Sequence, residues 1–107
     1  MVTVRRSSDG PSVLACYFRC GADGSITDAD SRGSKIFCLV DLWKGELSDQ
    51  AVFLKHGFGE WVLKHPTSGV YFKGMVIPYW DKRKETALKA HEAFPNIGAI
   101  GWDIAIT

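Results

Sequence analysis

Apolar and polar positions alternate in short runs through the first half of the chain, and turn-forming residues bound each run. Val2 to Arg6 and Val13 to Cys20 are two such runs, separated by Ser7-Ser8-Asp9-Gly10-Pro11, which predicts an antiparallel hairpin. On the second run Leu14, Cys16, Phe18 and Cys20 share an apolar face, while Arg19 lies on the opposite face with Ala15 and Tyr17. From Gly21 to Ser34 the periodicity disappears among Gly21, Gly24 and Gly33 and Asp23, Asp28 and Asp30, so this stretch reads as a loop. Lys35 to Trp43 reads as a second strong strand, turned by Lys44-Gly45 into a weaker run around Gln50 to Lys55. His56 to Pro66 follows neither period, and Val70 to Lys73 reads as a further short strand.

One segment carries helical periodicity. It begins at Asp81, a residue suited to an N-cap, and ends before Pro95. Ala87, Leu88, His91 and Phe94 recur at intervals of three or four and form one buried face, while Lys82, Arg83, Glu85, Lys89 and Glu92 mostly remain in water. Pro95-Asn96 then stops the helix and launches a last strand, Ala99 to Ile106. Its alternation is nearly perfect, with Ile100, Trp102, Ile104 and Ile106 on one side and Ala99, Gly101, Asp103, Ala105 and Thr107 on the other. Two readings follow: a floor whose small residues leave room around the Asp103 carboxylate, or an ordinary sheet with Asp103 on its solvent face. Arg19 invites the same pair of readings. It either neutralises Asp103, or the two hold a phosphate and a divalent cation respectively.

The expected fold is therefore α+β: mostly antiparallel sheet with one main helix, 81–94, packed on one face, in a single domain spanning 1–107. A chain of 107 residues with 46% hydrophobic positions supports one core and not two. Its net charge of +1 supplies no overall field for nucleic acid or an anionic membrane. Neither a signal-type leader nor an apolar run of membrane-spanning length is present, which points to the cytoplasm. Cys16, Cys20 and Cys38 are odd in number and lie in apolar runs, so they read as reduced core thiols rather than metal ligands. Trp43, Trp61, Trp80 and Trp102 read as core, with an exposed Trp43 or Trp61 as the mark of a partner surface. Lys82-Arg83-Lys84 beside Tyr79 and Trp80 is better explained by a solvated first helical turn than by nucleic-acid binding. His65, before Pro66, is either a turn residue or a substrate-binding or acid/base group, and the turn role is the favoured reading.

Five segments then occur in one order: His65-Pro66-Thr67-Ser68-Gly69, Phe72-Lys73-Gly74, Ile77-Pro78-Tyr79-Trp80-Asp81, Phe94-Pro95-Asn96 and Gly101-Trp102-Asp103-Ile104-Ala105-Ile106-Thr107. That order resembles the sugar-transfer-associated ATP-grasp family, related to α-L-glutamate ligases, in its C-terminal portion. The resemblance implies part of a fold that clamps ATP and, with Mg²⁺, activates a carboxylate as an acyl phosphate for attack by an amine. It implies that Asp103 is one of the acidic groups holding Mg²⁺ against the nucleotide phosphates, that Arg19 stabilises charge on the transferred phosphoryl group, and that His65 belongs to the substrate side.

The chain departs from the family pattern in two places. Asp28-Ala29 and Gly33-Ser34 stand where the family shows Asp-Asn and Gly-Gly, and the strand carrying a Glu and an Asn that complete the metal site is not found. The expectation is a fragment or derivative of an ATP-dependent carboxylate–amine ligase linked to polysaccharide metabolism and inactive alone. Its partners in the complete enzyme would be a nucleotide and a small-molecule substrate. The alternative is a non-catalytic binding or association module, dimerising through the edge of the last strand.

Overall fold

The computed structural model of the chain describes residues 1–6, 9–22, 34–55 and 57–106. Among the described residues, seven strands and one helix follow in chain order: β1 (Val2–Arg5), β2 (Pro11–Ala15), β3 (Tyr17–Ala22), β4 (Ser34–Val40), β5 (Leu47–Lys55), β6 (Phe58–Val62), α1 (Trp80–Glu92) and β7 (Ala99–Gly101). The class is α+β, with two antiparallel sheets rather than one. A four-stranded meander runs β3-β4-β5-β6, and a three-stranded sheet runs β2-β1-β7.

The meander follows from alternation. Pairing Phe18 with Cys38, Cys20 with Ile36, Ile36 with Phe53 and Cys38 with Ala51 puts these residues on one face, which becomes the core. Ile36, Cys38 and Ala51 are fully buried there, and Phe72, Ile77 and Trp80 close over them. The opposite face carries Tyr17, Leu39 and Trp61, all exposed. A bulge between Cys38 and Val40 lets Val40 and Leu47 turn inward at the end of the sheet.

The expected strand from Val13 to Cys20 is broken at Cys16. Residues before it pair with β1 and residues after it pair with β4, so one apolar run serves two sheets. Cys16 is buried at the crossing and Leu14 is exposed, so these two do not share a buried face. Lys35 to Trp43 also shortens. The chain leaves β4 after Val40 because the Asp41 carboxylate accepts the backbone N–H groups of Trp43 (2.8 Å) and Lys44 (3.0 Å), bending the chain into a turn. Val70 to Lys73 is not a strand, since only a single bridge joins Tyr71 to Lys64. Phe58–Val62, where no period was legible, forms β6. Trp43 and Trp61 are exposed, and Trp80 is core. Of the expected loop Gly21 to Ser34, Gly21 and Ala22 end β3 and Ser34 begins β4, while residues 23–33, with the altered Asp28-Ala29 pair, and His56 lie outside the described residues.

The helix begins one residue earlier than the periodicity indicated. Its N-cap is Tyr79, in the left-handed conformation at φ 55° with no side-chain cap, and Asp81 lies inside the first turn, 3.6 Å from Lys84 Nζ. It stops at Glu92, where Ala93 and Phe94 donate to the carbonyls of Ala90 and His91 and Pro95 has no N–H to continue. Trp80, Ala87 and His91 are buried on the helix; Phe94 lies beyond it and is exposed. The face lies against β2 and β1.

The last strand is shorter than its alternation suggested. Only Ala99–Gly101 is laddered, in register Val2 to Gly101, Thr3 to Ile100 and Val4 to Ala99. Trp102 to Ile106 continues without a ladder, and Ile104 and Ile106 are exposed rather than packed on a helix. No helix among the described residues is long and apolar enough to cross a membrane.

Candidate functional site

Between β3, the 102–106 segment and the start of α1 lies an open hollow of about 950 Å³. One wall is β3 with the preceding Cys16, the other is Trp102 to Ile106, and Ile77 and Trp80 line it from the helix side. Most of this surface is apolar. Its charged side chains are Arg19, Arg83 and Asp103.

The structure brings together two of the three residues the sequence singled out. Arg19 Nη2 lies 3.1 Å from Asp103 Oδ1, a charge-assisted hydrogen bond between the edge of one sheet and the chain leaving the other. The Asp103 side chain is 94% exposed and that of Arg19 36%, so the pair stands at the wet mouth of the hollow and is screened accordingly. An exposed carboxylate beside a cavity lies between the two readings of the alternation: it faces solvent, and it also lines a cavity.

His65 does not line the hollow. Its Nδ1 accepts the backbone N–H groups of Thr67 (3.2 Å) and Ser68 (3.1 Å), and its Nε2, 2.9 Å from the Gly21 carbonyl oxygen, donates to it. The ring is thereby fixed as the Nε2–H tautomer. It shapes its own turn and fastens that turn to Gly21, which does line the hollow.

Arg83 was read from sequence as a solvated helix residue, and it is a structural part of the site. Its Nε donates to the Pro78 carbonyl at 2.8 Å and its Nη1 to the Ala105 carbonyl at 3.1 Å, tying the 102–106 segment to the start of the helix. Lys84 is likewise committed: its Nζ donates to Leu42 O at 2.9 Å and sits 5.5 Å from the Trp80 ring centroid. A basic run at a helix start gave no sign of either role, because the acceptors are backbone carbonyls distant in sequence. Upstream of Asp103, the Trp102 N–H donates to Met1 O at 2.7 Å and its indole N–H to Thr3 Oγ1 at 2.8 Å. Asp103 thus sits between two tethers.

Cys16 also lines the hollow, and burial pushes its thiol pKa above the ordinary value, a shift that the nearby amino group of Met1 partly offsets. None of the three cysteines is in a disulfide.

The model of the family described as sugar-transfer associated ATP-grasp matches residues 1–107. The chain belongs to that family. Comparison with curated proteins and with solved structures gave no match. ATP-grasp proteins of this kind imply ATP and Mg²⁺, and the residues at the hollow can be tested against that implication. Mg²⁺ takes near-octahedral oxygen coordination and gives up its water reluctantly. The hollow offers one carboxylate, with one oxygen engaged by Arg19, and no group of three or more His, Cys, Asp or Glu converges among the described residues. By themselves these residues do not fit a Mg²⁺ site.

Proposed function

We propose that the chain is part or a derivative of an ATP-grasp ligase that couples a carboxylate to an amine at the expense of ATP, in polysaccharide-linked metabolism, and that the hollow is its ligand-facing surface. The observation that carries this reading is the Arg19–Asp103 pair at the mouth of a hollow in a chain matched to the family along its whole length. Arg19 is the group that would meet anionic oxygens, since a guanidinium offers a planar fork of donors that suits phosphate and carboxylate alike. Asp103 would contribute one oxygen to Mg²⁺-nucleotide, within a donor set that the described residues do not complete. His65 would serve the substrate side by holding its turn against Gly21 rather than by proton transfer. Three cysteines outside any disulfide suit a reducing, cytoplasmic setting.

Calorimetry on the natural protein at its full length tests the reading. Asp103→Asn should weaken Mg-ATP by about tenfold or more, as expected for loss of a charged ligand group, and leave ATP in the presence of EDTA unchanged. Equal Mg-ATP affinity in both proteins would remove Asp103 from the site. For residues 1–107 alone, thermal shift with Mg-ATP should show little stabilisation, and a large shift would mean the hollow is sufficient by itself.

A second reading, a non-catalytic association module, is favoured by one observation: among the described residues β7 has a neighbouring strand on one side only. It requires a dimer by light scattering that dissociates when a proline replaces Ala99, whose N–H alternates away from β1 to the open edge, and a monomeric wild type would dispose of it.

A further inference from the structure

Asp103 follows a strand of three laddered residues, and so short a ladder fixes register weakly. A slip of one residue would turn the Asp103 side chain away from Arg19, because side chains alternate faces at every step. Something beyond the ladder must hold the register.

A buried polar relay runs to this point. The Trp102 indole N–H donates to Thr3 Oγ1 at 2.8 Å; Thr3 Oγ1 lies 2.8 Å from His91 Nδ1, and His91 Nε2 lies 2.7 Å from the Ile97 carbonyl. Both ends have a fixed sense, because an indole only donates and a carbonyl only accepts. With a neutral ring, the Ile97 carbonyl takes the Nε2 proton, which leaves Nδ1 as acceptor and makes the Thr3 hydroxyl the donor to it. Each group then has its partner. Thr3 and His91 are both completely buried, and among the described residues they are the two polar ones in the buried set.

An apolar pair at these positions would fill the same space. A satisfied polar relay does something more: it accepts one arrangement, where apolar contact tolerates sliding. In β1, Thr3 stands opposite Ile100, so the indole of Trp102 reaches it diagonally only in the observed register. The relay joins helix, strand and the 94–98 turn to the residue immediately before Asp103.

We propose that Thr3 and His91 are positioning residues for Asp103, acting through the indole of Trp102 to hold the carboxylate against Arg19. The inference rests on the functional reading of Asp103 above, but its first test does not use nucleotide. Proton–nitrogen correlation spectra of the free protein report the Trp102 indole, the Asp103 amide and the Arg19 Nε–H. Thr3→Val keeps the β-branched shape and removes the hydroxyl; it should displace all three signals, and Thr3→Ser should restore them. Trp102→Phe, which removes the indole N–H with part of the ring and leaves Thr3 with His91, should displace the Arg19 signal even if Thr3→Val does not fold. Unmoved Asp103 and Arg19 signals in a folded Thr3→Val protein, or an unmoved Arg19 signal in a folded Trp102→Phe protein, would overturn the proposal.

Nucleotide affinity at full length is the second arm. Thr3→Val should bind Mg-ATP about tenfold more weakly than Thr3→Ser, the size of effect expected of a displaced ligand group. A full-length wild type that does not bind Mg-ATP would sink the functional reading, and displaced Asp103 and Arg19 signals in the free protein would still uphold the relay.

Discussion

Every strand of the four-stranded sheet is paired with its neighbour in sequence, and its buried residues, Ile36, Cys38, Val40, Leu47, Ala51 and Phe53, are apolar. The three-stranded sheet is assembled differently. It joins β1 to β7 from opposite ends of the chain, and its centre is Thr3 and His91, linked to Trp102 across 99 positions of sequence. The first is held by burial of apolar area along long ladders; the second, with short ladders, is held by hydrogen bonds that each specify a partner. The difference bears on function because the site lies on the seam. Arg19 comes from the edge of the meander and Asp103 from the chain leaving the smaller sheet, so their 3.1 Å contact requires both sheets to be placed correctly.

Substitutions should separate the two regimes by size. The largest effect is expected in the meander: Phe53→Ala removes a buried ring and should cost about 3–5 kcal/mol in urea denaturation. A loss below about 1 kcal/mol would mean that the apolar sheet is not the stability centre. Gly45→Ala comes next, at about 3 kcal/mol, because Gly45 has φ +70° and an added Cβ would fall 2.6 Å from Trp80 Cβ. Gly45 also gives its carbonyl to Ile77 N–H at 2.9 Å, so the strain should reach the helix start, read as loss of helical signal in thermal melts. Thr3→Val should cost about 2 kcal/mol by leaving buried polar groups without partners. It should raise amide exchange in β1 and β7 while β4 and β5 stay protected; uniform exchange throughout would show one cooperative unit instead of two regimes.

The same division explains what was legible in the sequence. Alternation across Lys35 to Trp43 and the run around Gln50 to Lys55 are local signals, and they located β4 and part of β5, while β6 showed no period. Alternation failed at Cys16, where a continuous apolar run changes partner from β1 to β4, because period reports faces and not which strand lies alongside. It overreached from Trp102 to Ile106, where perfect alternation has no second strand to pair with. His91 was read as packed on the apolar side of the helix, which is where it lies, but its two hydrogen-bond partners are distant or irregular residues that no periodicity displays. At the site, Asp103 and Arg19 stood out because each interrupts an apolar pattern. Arg83 did not, since a basic residue in a helical first turn is ordinary and only the Ala105 carbonyl gives it a role.

The smallest effect tests whether the turn between β4 and β5 contributes through charge. Asp41 is exposed, and the backbone N–H groups of Lys44 and Trp43, with the charges of Lys44 and Lys84, hold its carboxyl below the ordinary carboxylate range. A folded pKa lower than the unfolded one means that the ionised form is favoured by folding. Its contribution is therefore complete above the unfolded value, near pH 4, and is lost as pH falls through the lower folded value. Asp41→Asn keeps an oxygen acceptor for both N–H groups and removes the titration. The wild type should exceed the variant by a small constant margin above about pH 5, and the margin should shrink toward lower pH. Because the two N–H groups outrank the lysines as causes, most of the margin should survive high salt. A margin abolished by salt would assign the effect to the lysines, and a margin independent of pH would mean that the turn is held by shape alone.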